Sequence, residues 1–270
     1  YIGNDKKPSQ PFFAYVALTA PHWPLQVPTN YLNIYKGHYD QGYDAIKQKR
    51  LEKMLKLKLI NSTKTANLVS KELAPMNLDT WNNLTAEQKK IEARKMEIYA
   101  AQIKNMDDNV GKLIKHLKNI KQYDNTLFIF MSDNGAEGFY RPLPGYDNSY
   151  NNLGKTKSYE LIGPRWTEVS SAPFSLWKGT AAEGGVSAPA IVKLPNSTTA
   201  KISNSFVNVK DVFPTVLEVT QSSLKPDYQD PSKFNQLSGK SWISYLKGKT
   251  NSVYGENFIY ADELHGDAYV

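Results

Sequence analysis

A strand-to-turn segment of this 270-residue chain, Ser132-Asp133-Asn134-Gly135, carries two candidate metal ligands. It directly follows a run of apolar residues that predicts a strand. Ligands of open α/β sheets bind beyond the carboxyl ends of strands, and carboxylate and amide oxygens suit calcium or magnesium. We therefore take Asp133 and Asn134 as candidate ligands of such a metal. An Asx turn without a metal would use the same residues, and the segment alone does not decide between the two.

A second segment, Pro21-His22-Trp23-Pro24, holds a histidine between two prolines. Prolines restrict the backbone on both sides of the imidazole. An imidazole held in this way can donate a hydrogen bond to an anionic substrate or act as a general acid. The competing interpretation, which this segment alone favours, is a histidine that packs structurally against Trp23 and the prolines.

A third segment, Trp177-Lys178-Gly179, places a lysine between an aromatic residue and a glycine, where the backbone can approach a ligand. The ammonium group of Lys178 could neutralise an oxygen of a sulfate or phosphate group. A single lysine is nearly always a solvated charge, and the segment by itself favours that interpretation.

The composition excludes several other kinds of chemistry. The chain has no cysteine, so a cysteine nucleophile and a cysteine metal ligand are both excluded. The GxSxG, GxxxxGK[ST] and HExxH motifs are also absent. The net charge is +7, but the lysines are spread along the chain, and the densest run, Lys47 to Lys58, alternates with apolar residues as the solvated face of a helix does. No apolar run approaches the ~20 residues of a membrane span. We expect no nucleic-acid partner and no membrane span.

The elements that must position these residues follow from the apolar pattern. Strands are predicted at Pro11–Leu18, Thr126–Met131, Pro189–Leu194, Phe206–Val209 and Phe258–Tyr260. The first ends shortly before His22, the second ends directly before Ser132, and the third begins shortly after Lys178. The first two are continuous apolar runs typical of buried strands, and the second is typical of a strand buried on both faces.

Amphipathic patterns predict helices at Tyr43–Ile60, from Thr85 to about Asn119, and from an Asp211 cap through Val219. Thr85 and Gln88 have the spacing of a capping box. Alternating strands and helices indicate the α/β class, with a largely buried sheet between helices. The aperiodic stretch Gly135–Ala172 is expected to be an ordered, pocket-forming loop.

Taken together and in this order, five segments resemble the arylsulfatases of the sulfatase family in the alkaline-phosphatase superfamily. The segments are FFAYVALTAPHWPLQVP, EIYAAQIKNMDDNVGKLI, DNTLFIFMSDNGAEG, the interrupted stretch YDNS with GKTKSY and GPRW, and KGTAAEGGVSAPAIVKLP. The resemblance implies an alkaline-phosphatase-like fold, a mixed sheet sandwiched by helices. It also implies that residues 1–220 are part of the catalytic α/β domain and that residues 221–270 begin a smaller C-terminal subdomain. One departure is Ser187, which stands where the family usually carries an arginine in GG-x-R-x-P.

The same resemblance implies hydrolysis of small-molecule sulfate esters to an alcohol or phenol plus sulfate. In the family a formylglycine, made from Cys or Ser in a C/S-x-P-x-R motif, is the nucleophile, and calcium (magnesium is an alternative) binds a sulfate oxygen. Asp133 and Asn134 match two of the metal ligands, and His22 and Lys178 match residues on the sulfate. A formylglycine-generating or anaerobic maturation enzyme is the implied protein partner.

The C/S-x-P-x-R motif and the early aspartate ligands of the family are not found in this sequence. We therefore expect a chain truncated at both ends that carries no nucleophile and is inactive by itself. Two alternatives stay open: a phosphate or phosphonate ester hydrolase of the same superfamily, and a non-catalytic remnant that binds an anion or a partner protein. The compartment is not fixed by the sequence; periplasm or cytoplasm would be expected of a bacterial protein.

Overall fold

The helices account for most of the regular structure in the computed structural model, which describes residues 11–63, 80–139 and 143–255 and the backbone of 262–264 and 267–269. The α-helices are α1 Gly42–Lys56, α2 Ala86–Asn119, α3 Gly163–Ser171, α4 Glu183–Val186, α5 Val212–Thr220 and α6 Ile243–Leu246. Short 3₁₀ turns lie at Thr29–Tyr31, Trp81–Asn83, Val209–Asp211 and Pro226–Gln229. Within these described ranges, no helix is both long and apolar enough to cross a bilayer.

The capping box predicted for the long helix is confirmed. The Thr85 hydroxyl accepts from the Gln88 backbone N–H at 3.2 Å, and the Gln88 side chain accepts from the Thr85 N–H at 2.8 Å. Two otherwise unpaired donors of the first turn are thereby satisfied. Helix α1 ends at Lys56, four residues earlier than predicted, and Lys58 then adopts a left-handed conformation with φ 57°.

The strands form two antiparallel pairs: β1 Phe128–Met131 with β2 Ala190–Lys193, and β3 Asp262–Leu264 with β4 Asp267–Tyr269. The prediction that β1 is buried on both faces is wrong, because all four of its residues are only half-buried. The register pairs Met131 with Ala190. The end of β1, which leads to Asp133, therefore lies beside the start of β2.

The predicted buried strand Pro11–Leu18 is also wrong. These residues have no regular secondary structure, and Phe13 and Tyr15 are 77% and 85% exposed. An apolar run becomes a strand only when a neighbouring strand satisfies its backbone N–H and C=O groups, and no described strand pairs with this run.

The predicted strand Phe206–Val209 does not form either. Asn208 accepts from the Lys210 N–H at 3.1 Å, and its own N–H donates to the Asp211 carboxylate at 2.7 Å. These local bonds favour a 3₁₀ turn over an extended ladder. Asp211 stands at the N-cap position of α5, but its carboxylate does not accept from the first turn of that helix. The predicted strand Phe258–Tyr260 lies outside the described residues.

The stretch Gly135–Ala172 contains helix α3, which the sequence analysis missed. Pro164 lies in the first turn of this helix, where proline is tolerated because its missing N–H would have no partner. Residues 140–142 of this stretch lie outside the described residues.

The main apolar core gathers around Trp166 of α3, which is fully buried. Its indole N–H donates to the Glu92 carbonyl of α2 at 2.8 Å. Tyr43 of α1 packs edge-on against it, with ring centroids 4.8 Å apart. Leu25 belongs to the same cluster and is 1% exposed. The core therefore fixes the chain three residues after His22 against helices α1, α2 and α3.

Candidate functional site

Three side chains from distant parts of the sequence meet at one place. The Lys178 Nζ atom lies 3.4 Å from Nε2 of His22 and 3.2 Å from Oε2 of Glu137. The Lys178 side chain is 32% exposed and the Glu137 side chain 13%, while His22 is exposed. A carboxylate, an ammonium and an imidazole thus follow one another from a half-buried to an accessible position. His22 and Lys178 were each singled out from the sequence, and the resemblance to the family implied that both lie on the sulfate; Glu137 was not predicted to join them.

The loop that carries His22 is held from two sides. The Leu25 N–H donates to the Glu160 carbonyl at 2.9 Å. On the other side, the Gln102 side chain of α2 donates to the Pro24 carbonyl at 3.1 Å and lies 3.5 Å from the His22 carbonyl. Gln102 is itself 5% exposed. Because both anchors are backbone contacts of neighbouring residues, the imidazole remains available on the surface of the loop.

A carbonyl oxygen defines the state of the His22 ring. The Nδ1 atom lies 2.9 Å from the Trp23 carbonyl, which can only accept a hydrogen bond. A proton on Nδ1 is therefore favoured, and in that neutral tautomer Nε2 is the acceptor that faces the Lys178 ammonium. The Trp23 indole packs beside the ring with centroids 4.6 Å apart, and Tyr159 extends this aromatic surface with a centroid 5.5 Å from that of Trp23.

The backbone of Lys178 is joined to the segment that follows β1. Its N–H donates to the Ala136 carbonyl at 2.9 Å. The preceding Trp177 is 3% exposed and packs over Gly138 so closely that a Cβ atom at position 138 would lie 2.3 Å from the indole. A buried anchor residue thus precedes the lysine and sets where its side chain emerges.

Glu137 is the member of this group that sequence reasoning did not identify. Its Oε1 accepts from the Phe139 N–H at 3.2 Å, while Oε2 faces Lys178. Its carbonyl accepts from the hydroxyl of Thr167 in α3 at 2.8 Å, and Thr167 is fully buried. The acidic residue in Ser-Asp-Asn-Gly-Ala-Glu-Gly was visible in the sequence, but its partner was not, because the partner lies on a different segment.

Asp133 and Asn134 lie on the turn after β1, four and three residues before Glu137. Asp133 is exposed and Asn134 is half-buried, with its amide nitrogen donating to the Gly135 carbonyl at 3.0 Å. None of the hydrogen bonds or ion pairs of the described residues joins either of them to His22 or Lys178. The structure therefore brings together the predicted histidine and lysine, and places the predicted metal ligands nearby in sequence on the same segment.

The turn that carries them packs tightly on α4. The Gly135 N–H donates to the Gly185 carbonyl at 2.9 Å, and a Cβ atom at position 135 would lie 1.8 Å from the Gly184 carbonyl oxygen. Only glycine allows two backbones to approach so closely. This contact fixes the turn beside the segment that also carries Lys178.

The donor set of this turn fits part of a site for a hard cation. The Asp133 carboxylate and the Asn134 amide oxygen are ligands of the type that calcium prefers, and no described residue donates a hydrogen bond to either. Two oxygens fall short of the 6–8 ligands of a calcium site. Within the described ranges, no cluster of three or more histidine, aspartate or glutamate side chains could hold a metal.

Comparison with known proteins gives a consistent result. Residues 1–222 match the family model described as Sulfatase. An uncharacterized sulfatase of Schizosaccharomyces pombe is 42% identical over 255 residues, which cover 90% of this chain and 45% of the relative. An arylsulfatase of Klebsiella aerogenes is 39% identical over 220 residues, which cover 77% of this chain and 46% of the relative. The chain thus spans about half the length of these relatives.

A phosphonate monoester hydrolase from Silicibacter pomeroyi is a similar solved structure. The similarity covers 84% of this chain and 36% of that protein, with 18% identity and a TM-score of 0.44.

Proposed function

This chain belongs to the sulfatase family, and from that premise we propose that the protein hydrolyses small-molecule sulfate esters, aryl sulfates among them, with His22 and Lys178 on the sulfate. Membership of the family also carries the alkaline-phosphatase-like α/β fold class that the sequence predicts. The division of the chain at residue 220 stays a prediction.

The observation that carries the proposal is the 3.4 Å approach of Lys178 Nζ to His22 Nε2. Cleavage of a sulfate ester places negative charge on the sulfuryl oxygens and on the departing oxygen. A cation and an imidazole held side by side, on a surface that a ligand can reach, meet that requirement. Neither residue would need to move far to contact adjacent oxygens of one sulfate group.

Lys178 would bind the sulfate. An ammonium group has three N–H donors; one faces Glu137 and one faces His22, so a third remains for a sulfate oxygen. The positive charge would stabilise the bound anion and the additional charge of the transition state. The ion pair with Glu137 would hold the ammonium at the site, so that Lys178 is not a mobile, solvated side chain.

His22 would protonate the leaving group. Because Nδ1 is committed to the Trp23 carbonyl, Nε2 is the atom that exchanges a proton. Nε2 would take up a second proton from solvent; when the S–O bond to the alcohol or phenol breaks, that proton would pass to the departing oxygen and leave the ring neutral with its proton on Nδ1.

Asp133 and Asn134 would hold a calcium ion, with magnesium as the alternative, as two of its oxygen ligands. The metal would supply positive charge at a sulfate oxygen. Formylglycine, formed by a maturation enzyme, would supply the nucleophilic hydroxyl. No C/S-x-P-x-R motif occurs among these 270 residues, so we assign no residue of this chain to the nucleophilic step.

The test compares 4-nitrophenyl sulfate with 4-nitrophenyl phosphate as substrates of the full-length, matured protein. We expect the sulfate to be hydrolysed with the higher kcat/KM, and His22→Ala to lower it roughly 100-fold or more, the scale of losing a group that stabilises the transition state. Faster hydrolysis of the phosphate would instead support a phosphate or phosphonate esterase. No turnover of either ester by protein with a verified formylglycine would indicate a non-catalytic binding protein.

A further inference from the structure

We propose that Glu137 is a positioning residue that holds the Lys178 ammonium against His22 and thereby favours, before substrate binds, the tautomer of the ring with its proton on Nδ1. Nothing in the sequence analysis assigns Glu137 a role. The consequence for catalysis rests on the proposed sulfatase function, whereas the positioning itself is a property of three side chains that can be measured without turnover.

Both oxygens of the Glu137 carboxylate are used. Oε1 accepts from the Phe139 N–H at 3.2 Å, and Oε2 pairs with Lys178 Nζ at 3.2 Å. The Glu137 backbone is fixed in turn by Thr167, whose buried hydroxyl donates to its carbonyl at 2.8 Å. The carboxylate therefore has a defined place set by α3 and by its own turn, and it can direct a longer and more flexible lysine.

Lys178 needs a negatively charged partner because its other neighbour, the His22 imidazole, can become positively charged. An ammonium next to an imidazole is repelled whenever the ring becomes charged. A long lysine side chain that is 32% exposed could relieve that repulsion by turning into solvent. The Glu137 carboxylate opposes this movement, since it attracts the ammonium from the less exposed side of the pair.

Glu137 acts on His22 through Lys178, whose Nζ atom faces Nε2 of the ring. An ammonium can only donate a hydrogen bond, so Lys178 favours the ring in which Nε2 is unprotonated. The Trp23 carbonyl favours a proton on Nδ1 at 2.9 Å and so selects the same tautomer. With Glu137 removed, only the Trp23 contact would remain, and we expect the ring to populate both tautomers.

Imidazole ¹⁵N NMR of the full-length protein tests the positioning directly. The probe is histidine labelled with ¹⁵N, and the His22 signals are assigned by their loss in His22→Asn. In the unsubstituted protein we expect a pyrrole-like Nδ1 and a pyridine-like Nε2. In Glu137→Gln, which keeps an oxygen for the Phe139 N–H but loses the charge, the two shifts should move toward each other. Glu218→Gln, on the exposed face of α5, is the matched control and should leave them unchanged.

Kinetics on 4-nitrophenyl sulfate form the second readout. Misplacing a group by about 1 Å can cost up to 100-fold in rate, so we expect Glu137→Gln to lower kcat about tenfold or more, with a smaller change in KM. Glu137→Asp, which keeps the charge on a side chain one methylene shorter, should recover part of the loss. It also carries the test if Glu137→Gln does not fold.

The outcomes separate the two proposals. Altered His22 shifts together with lowered kcat support both. Altered shifts in a matured protein that hydrolyses no sulfate ester would keep Glu137 as a positioning residue and refute the proposed function. His22 shifts in Glu137→Gln that match those of Glu218→Gln would overturn the positioning role, whatever the rates.

Discussion

The ammonium of Lys178 lies 3.4 Å from Nε2 of His22, although 156 positions separate the two residues in sequence. Each is fixed by backbone contacts made by its own segment: Lys178 through the Ala136 carbonyl, and the His22 loop through Gln102 and Glu160. The pair is therefore a product of packing between the segment after β1, the segment before α4 and helix α2. Perturbing that packing should affect the pair even where no member of it is changed.

Removing the ammonium should impair catalysis more than folding. We expect Lys178→Ala to lower kcat/KM for 4-nitrophenyl sulfate about 100-fold, because an interaction with developing charge is lost. Lys178→Arg should recover only part of it, since a planar guanidinium does not reproduce the compact charge of an ammonium. Steady-state kinetics on the matured protein measure both.

The control for this prediction is Lys247→Ala, which removes an equal charge from an exposed position after α6. It should leave kcat/KM within about twofold, because exposed charges contribute little at a distance in salt. An equal loss in Lys247→Ala would mean that net charge, rather than a contact with sulfate, accounts for the effect.

Gly138→Ala should disturb the site through the residue next to Lys178. The added Cβ would lie 2.3 Å from the Trp177 indole, so this buried ring must shift and carry Lys178 with it. We expect a loss of about 1–3 kcal/mol in the free energy of unfolding, as for other overpacked sites, and at least a tenfold lower kcat. Urea denaturation and kinetics provide the two measurements.

Gly111→Ala serves as the matched substitution. Gly111 is exposed within α2, and no atom lies within 4 Å of an added Cβ. Alanine should stabilise the helix by about 0.5–1 kcal/mol and leave kcat unchanged. If Gly138→Ala behaved like Gly111→Ala, the close packing on Trp177 would not be what positions the lysine.

Local signals in the sequence predicted the features that depend on a few adjacent residues. The capping box of Thr85 and Gln88 marked the start of α2, and the apolar run before Ser132 marked β1. The same reasoning failed at Pro11–Leu18, because the run of apolar residues says nothing about whether a neighbouring strand is present.

The candidate site was predictable to a similar extent. His22 and Lys178 could be proposed from their neighbours, prolines in one case and an aromatic residue with glycine in the other. Glu137 could not, because its significance comes from an ion pair with Lys178 that only the fold creates. A carboxylate and a lysine on separate segments of the chain have no signature in the spacing of the sequence.

A buried carboxylate should stabilise the C-terminal part of the described chain. Asp211 is fully buried and accepts from the Asn208 and Lys240 N–H groups at 2.7 and 2.8 Å, from the Trp242 indole at 3.3 Å, and from the Tyr254 hydroxyl. Asp211→Asn presents an amide nitrogen to some of these donors. We expect it to lower the free energy of unfolding by about 3 kcal/mol, the scale of leaving buried donors unpaired.

Urea denaturation measures this effect, and activity provides the control. Asp211 has no described contact with His22, Glu137 or Lys178, so the fraction that remains folded should keep its kcat. A stability equal to that of the unsubstituted protein would show that the four donors find other partners at little cost.

The Tyr254 hydroxyl should make stability depend on alkaline pH. Burial, together with the hydrogen bond to Asp211 and the charge of that residue, raises the pKa of Tyr254 above its usual value. The folded state thus keeps the tyrosine protonated at a pH where the unfolded chain has released the proton. The contribution of Tyr254 is fully present below pH about 10, the ordinary pKa of tyrosine, and is lost as the pH rises beyond it.

Tyr254→Phe isolates this contribution. At pH about 8 we expect it to lower the free energy of unfolding by about 1–2 kcal/mol, because the bond to Asp211 is lost. Between pH about 10 and 11 the difference in free energy of unfolding between Tyr254→Phe and the unsubstituted protein should shrink, since the tyrosine then costs stability that phenylalanine does not.

The control is Tyr228→Phe, at a position 51% exposed, which should show no such trend. Burial also raises the pKa of Tyr39 and Tyr99, so both proteins should lose stability in alkali, and only a difference that stays constant with pH would contradict the role of Tyr254.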